Sequence, residues 1–139
     1  MKNYESNNTV KTHIKEMVVI ETDFKSKKFE NYTFENCRFQ TCSFDNCKFS
    51  NVQFLNCTFG ENVFSECKIS SCDFHGGAVI GSEFNDCSIS WSSFDEVDLD
   101  EVDCVESELI KLSFCRCKLP ADLIKSIRGG VWIGLSELK

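Results

Sequence analysis

Proline occurs once in the 139 residues, histidine twice, and the longest uninterrupted aliphatic run is Met17-Val18-Val19-Ile20. Crossing a membrane takes about 20 apolar residues in a helix, so no membrane span is expected. The first ten residues, MKNYESNNTV, are polar and lack the apolar stretch of a secretory signal, which predicts a cytoplasmic chain with reduced thiols. There is no Ser/His/Asp set, no Gly-rich phosphate loop and no H-E-x-x-H, and Gly76-Gly77 has no lysine after it. The expectation is a protein that is not an enzyme and takes no cofactor. Positive charge is short as well: 15 Lys and Arg stand against 22 Asp and Glu, a net charge of -7. A nonspecific nucleic-acid binder needs basic patches to displace counterions, so no direct nucleic-acid binding is expected. The length suffices for one domain and not for two ordinary ones.

What the chain has in excess is phenylalanine, thirteen, and cysteine, ten. The phenylalanines are Phe24, Phe29, Phe34, Phe39, Phe44, Phe49, Phe54, Phe59, Phe64, Phe74, Phe84, Phe94 and Phe114, and all fall in one register of a five-residue period. Ile69, Val79, Ile89, Leu99, Cys104, Leu109 and Leu119 fill the gaps, while Val19 and Ile14 extend the series backwards. A second class, mostly small residues, sits two positions before each centre: Cys37, Cys42, Cys47, Cys57, Cys67, Cys72, Cys87 and Cys117, with Val52, Asn62, Ser82 and Ser92 in the same slot. The other positions are polar or charged, and Asn is frequent two after the centre (Asn31, Asn36, Asn46, Asn51, Asn56). A period of five fits neither the 3.6 of a helix nor the 2 of a strand. A chain that turns a corner every five residues can keep one large and one small side chain inward.

The run Cys37-Arg38-Phe39-Gln40-Thr41, Cys42-Ser43-Phe44-Asp45-Asn46 closely resembles the pentapeptide-repeat family, and the likeness extends over roughly four fifths of the chain. The resemblance implies an all-β fold, a right-handed quadrilateral β-helix of about five coils in which residue n stacks on residue n+20. Its phenylalanines and slot cysteines form the core. Residues 1–11 are expected to be disordered, 12–119 to form the repeat, and 120–139 to form a cap of one short helix and one strand. Pro120 suits a first helical turn, Leu123, Ile124 and Ile127 share a helical face, and Gly129-Gly130 would end it. The stretch Ala121 to Gly134 is similar to the C-terminal element of the quinolone-resistance members, which joins two rods tail to tail. That likeness implies a homodimer through Leu123, Ile124, Ile127, Val131, Trp132, Ile133 and Leu135; a lid that only seals the last coil is the other reading.

Eight cysteines sit in the inward slot, where a free thiol behaves as a small hydrophobe. Their C-x4-C spacing follows the repeat and lacks the paired C-x2-C or added histidines of a metal site, so no metal is expected. Cys104 takes a core centre and Cys115 points outward. Gly76-Gly77 and Gly81 mark a corner without side chains, read as a bulge.

Stacking at n+20 distributes charge over four walls. Wall one (22–26, 42–46 and so on) carries seven carboxylates against Lys25, a net -6; wall two, starting at 27, is +3, with Lys28, Lys48 and Lys68 in one column; walls three and four are -3 and -2. From Gly76 to Ile110 there is no Lys or Arg, yet Glu83, Asp86, Asp95, Glu96, Asp98, Asp100, Glu101, Asp103, Glu106 and Glu108 crowd there. Taken with Glu66, this acidic zone (Glu108 apart, on the basic wall) is the expected partner-binding face. The quinolone-resistance likeness implies a DNA mimic that binds DNA gyrase or topoisomerase IV. Two other readings stay open: a solvated surface that keeps a β-rod soluble, and an interaction scaffold that binds through outward Leu55, Ile80, Trp91, Val105 and Ile110.

Overall fold

The computed structural model describes residues 11–125, 127–128 and 131–133. Three-residue strands alternate with tight turns, and nearly every strand pairs in parallel with the strand twenty residues away. The result is a β-solenoid of about five turns. Wall one stacks Asp23–Lys25, Ser43–Asp45, Val63–Ser65, Glu83–Asn85 and Asp103–Val105. Wall two stacks Lys28–Glu30, Lys48–Ser50, Lys68–Ser70, Ser88–Ser90 and Glu108–Ile110. Walls three and four join into one sheet, because strands Gln53–Gly60 and Asp73–Ile80 run around their shared corner.

The corner explains the period. Every fifth residue from Glu16 to Arg116 has a φ between 51° and 74°, and all but Gly76 and Gly81 carry a side chain. One left-handed residue turns the chain, and its amide still donates to the next coil, as in Asn46 N to Ser65 O (2.8 Å) and Glu96 N to Cys115 O (2.8 Å). Asn tolerates this region better than most residues, which accounts for its frequency two after the centre. The expected bulge at Gly76-Gly77 is not formed: the register of twenty holds from Asp73↔Gln53 through Gly77↔Cys57 to Ile80↔Gly60. Gly77 instead holds the slot position exposed and at a φ of 90°, and a Cβ there would lie 2.0 Å from the Cys57 carbonyl oxygen. No larger residue fits there without moving backbone.

Inside, the phenylalanines form columns. Phe34, Phe54, Phe74, Phe94 and Phe114 stack with ring centroids 4.6–5.4 Å apart and planes within 14°. Phe24, Phe44, Phe64 and Phe84 form a second column at 4.6–4.8 Å. Rings of adjacent walls meet edge to face, as Phe39 and Phe44 do at 6.2 Å. Each ring removed from water contributes about 1.5–3 kcal/mol. Towards the C-terminus aliphatic centres replace the rings, and an apolar cavity of about 40 Å³ runs along the core from Phe49 past Phe84 and Cys104 to Leu123.

All eight slot cysteines are buried and free. They do more than fill space: Cys57, Cys67, Cys87 and Cys117 each donate to the carbonyl of the preceding coil's centre at 3.2 Å. Burial pushes the Cys57 and Cys72 thiols up to about 11 and that of Cys104 to about 12. The buried polar slots are satisfied too. Asn62 Oδ1 accepts from Cys42 N (2.7 Å), its Nδ2 donates to Phe39 O (3.1 Å), and Ser82 Oγ accepts from Asn62 N (3.2 Å).

The tail departs from expectation. The helix is Ala121–Lys125, with the Leu123 and Ile124 amides donating to Pro120 O, and it stops before Ile127. Ile127–Arg128 is a strand that pairs with Leu109–Ile110, and Val131–Ile133 pairs with Ser113–Cys115. The last coil offers an open edge at wall two, and satisfying it outweighs one more helical residue at a β-branched position. Register here is 18, so the tail closes this turn with two residues fewer than a full coil. Residues 1–10 of the stretch expected to be disordered, the side chains of Ile127, Val131, Trp132 and Ile133, and all of Leu135 lie outside the described residues.

Candidate functional site

The acidic side chains divide by wall. Glu83 and Asp103 are register partners on wall one, both exposed, Glu83 between buried Ser82 and Phe84 and Asp103 between buried Val102 and half-buried Cys104. Glu66, Asp86 and Glu106 occupy the corner that follows the same wall, each at positive φ and each exposed. Glu101 stands at the corner that precedes it, with exposed Asp100 beside it. Among the described residues no salt bridge neutralises any of these seven.

Asp95 and Glu96 belong elsewhere. They lie on wall three, where Arg116 Nη2 donates to Asp95 Oδ1 at 2.9 Å and Arg116 Nε sits 3.5 Å from Glu96 Oε2. His75 Nδ1 approaches the other Asp95 oxygen at 3.2 Å. Asp95 beside it, with smaller help from Glu96, holds the Arg116 guanidinium above its ordinary range. One guanidinium against two carboxylates leaves this pair half compensated, and it stands on wall three, apart from the acidic wall. Asp98 is on wall four, paired with Ala78 and Lys118 and accepting from Asp100 N at 3.1 Å. Adding twenty puts His75 beside Asp95 and Arg116 beside Glu96, which holds the signal for this cluster; summing charge by wall missed the contacts.

On the opposite side Lys28, Lys48 and Lys68 are register partners down wall two. The outward apolar residues are scattered: Trp91 is 66 % exposed at a corner, with Lys111 Nζ 5.8 Å from its ring centroid, and Val105 lies on wall one. Leu55 and Ile110 are half-buried. Sequence patterning missed Val18 and Ile20, which are the first-coil outward residues of wall four and are both more than half exposed. Leu123 and Ile124, expected at a dimer interface, pack on the chain's own core. Among the described residues no group of three or more His, Cys, Asp or Glu is placed to hold a metal ion, and no helix is long and apolar enough to cross a membrane.

The chain was compared with known proteins. No curated protein matches it. Among solved structures, a trypsin-treated form of QnrB1, a plasmid-mediated fluoroquinolone resistance protein, is similar at 18% identity with a TM-score of 0.51, over 89% of this chain and 68% of that one. HetL, a pentapeptide repeat protein involved in heterocyst differentiation regulation from the cyanobacterium Nostoc sp. strain PCC 7120, is similar at 11% identity with a TM-score of 0.37, over 90% of this chain and 66% of that one. The first of these likenesses bears on the fold alone. The sequence profile of the pentapeptide repeat region matches residues 37–121, well over half of the chain, and with the twenty-residue register and left-handed corners in place the chain belongs to the pentapeptide-repeat family.

Proposed function

We propose that the chain is a non-enzymatic binding rod whose acidic wall imitates duplex DNA and occupies the DNA groove of a type II topoisomerase. The observation that carries this is the run of exposed carboxylates on and beside wall one, Glu66, Glu83, Asp86, Glu101, Asp103 and Glu106, without a cation among them. Two such groups per coil of about 4.8 Å is one charge per about 2.4 Å of rod, against about 1.7 Å per phosphate charge along a duplex. A stiff solenoid keeps that spacing fixed, so a basic groove meets it without ordering cost. The fluoroquinolone resistance of QnrB1 favours the same class of target. The test is the combined Glu83→Lys, Asp86→Lys, Asp103→Lys and Glu106→Lys variant, measured for binding to gyrase and for inhibition of supercoiling. Binding should fall at least about tenfold, and the residual binding should lose its steep salt dependence. Unchanged inhibition by a folded variant refutes the proposal.

A second reading, a scaffold that docks through apolar surface, rests on exposed Trp91. Binding that weakens in Trp91→Ala and is indifferent to salt would select it over mimicry.

A further inference from the structure

The two ends of the solenoid are finished differently. At the C-terminal end the helix and the two tail strands cover the last coil. At the other end the first coil, residues 12–31, has no described coil above it. Its centres Ile14, Val19, Phe24 and Phe29 are half-buried, whereas Phe34, Phe39, Phe44 and Phe49, in the same register one coil on, are only 2–4 % exposed. Among the described residues its backbone is unpaired on that side as well. In the second coil the amide before each centre donates back to the first: Arg38 to Met17 O (2.8 Å), Ser43 to Thr22 O (3.0 Å), Lys48 to Lys27 O (2.9 Å). The corresponding amides of Val18, Asp23 and Lys28 have no earlier coil among the described residues. Beside them Val18 is 60 % and Ile20 56 % exposed.

We propose that this end is an interface with a second copy of the chain, two rods meeting N-terminal coil to N-terminal coil about a two-fold axis. Charge favours a copy of itself. Residues 12–31 carry Lys15, Lys25, Lys27 and Lys28 against Glu16, Glu21, Asp23 and Glu30, a balanced set, while residues 76–110 would repel their own image. Geometry favours it too. A two-fold axis perpendicular to the rod reverses strand direction, so each open edge meets its counterpart antiparallel, a pairing the backbone accepts at least as readily as the parallel one inside the rod. The coil climbs about 4.8 Å per turn, so its end is a step and three walls can close together. With the axis through the middle of wall four, that wall meets itself and walls three and one exchange. Val18 then lies against Ile20 of the second copy, and Asp23 against Lys15 of the second copy, each contact made twice. The Asp23 carboxylate is held along its wall by Ser43 Oγ, which donates to it at 2.7 Å. A bound peptide would satisfy one open edge; a second copy satisfies three and matches their side chains.

The experiment is sedimentation equilibrium on the full chain across a wide concentration range. The chain should be a dimer, and Val18→Asp with Ile20→Asp should make it a monomer with an unchanged circular dichroism spectrum, since both side chains are exposed. Asp23→Lys alone should weaken the dimer about tenfold, and adding Lys15→Asp should restore it. A monomeric native chain overturns the proposal. So does a dimer untouched by the Val18/Ile20 substitutions, which would place association at the tail, or a charge reversal that Lys15→Asp fails to rescue.

Discussion

The second and fifth coils are built on one plan and filled in opposite ways. In the second, all four centres are phenylalanine, and the outward charges Glu35, Arg38, Asp45 and Lys48 balance. In the fifth, the centres are Phe94, Leu99, Cys104 and Leu109, and the outward charges are nearly all negative. Both keep the register of twenty and the left-handed corner. The framework is therefore indifferent to what the outward positions carry. Ring-on-ring stacking is densest between the second and third coils, and the late coils carry the charge.

That contrast can be broken by truncating centres. Phe44→Ala removes a ring stacked on Phe24 and Phe64 and should cost about 3–5 kcal/mol of unfolding free energy in urea titrations. Leu99→Ala, beside space already empty, should fall near the low end of its class, about 2–3 kcal/mol. Equal costs would show that the two halves are packed alike. Alkaline pH should strike both halves, because buried thiols occur in each. The folded state holds Cys57 and Cys72 at about 11 and Cys104 at about 12, above the ordinary 9.0. Between those values the native state binds more protons than the unfolded chain, so stability is full below pH 9 and falls as pH rises towards 11. The slope should be of order 1 kcal/mol per pH unit for each thiol, read from denaturation midpoints at fixed reductant. The smallest effect sharpens the contrast from the other side. Cys104→Leu extends an apolar side chain into the cavity under Phe84 and should raise stability by about 0.5–1 kcal/mol, seen as a higher melting temperature. A loss instead would mean that the late core is already full.

Much of this was legible in the sequence because a five-residue period leaves few alternatives. The centres, the slots, the stacking of Lys28 on Lys48 and of Glu83 on Asp103 all follow from adding twenty. Where the period stops, so does legibility. Ile127 is apolar at a spacing that suits a helical face, and only the open edge of Leu109–Ile110 makes it a strand residue. Asp95 and Glu96 counted as acidic surface until Arg116, one coil on, was seen to hold both. Val18 and Ile20 alternate with Val19 as a wall should, and their exposure arises only from standing at an end, a property no local pattern encodes.

The left-handed corner also ranks the residues placed on it. Asn suits that conformation, while a bulkier L-residue gives up something of order 1 kcal/mol to adopt it. Five corners between Asn31 and Asn56 use Asn, and none after Asn56 does; six of the later ones are acidic (Glu61, Glu66, Asp86, Glu96, Glu101 and Glu106), and the rest are Ser71, Gly76, Gly81, Trp91, Lys111 and Arg116. Conformational ease thus serves as an internal standard against which each corner can be judged. Where the chain places glutamate at a corner, it gives up that conformational ease for an outward carboxylate.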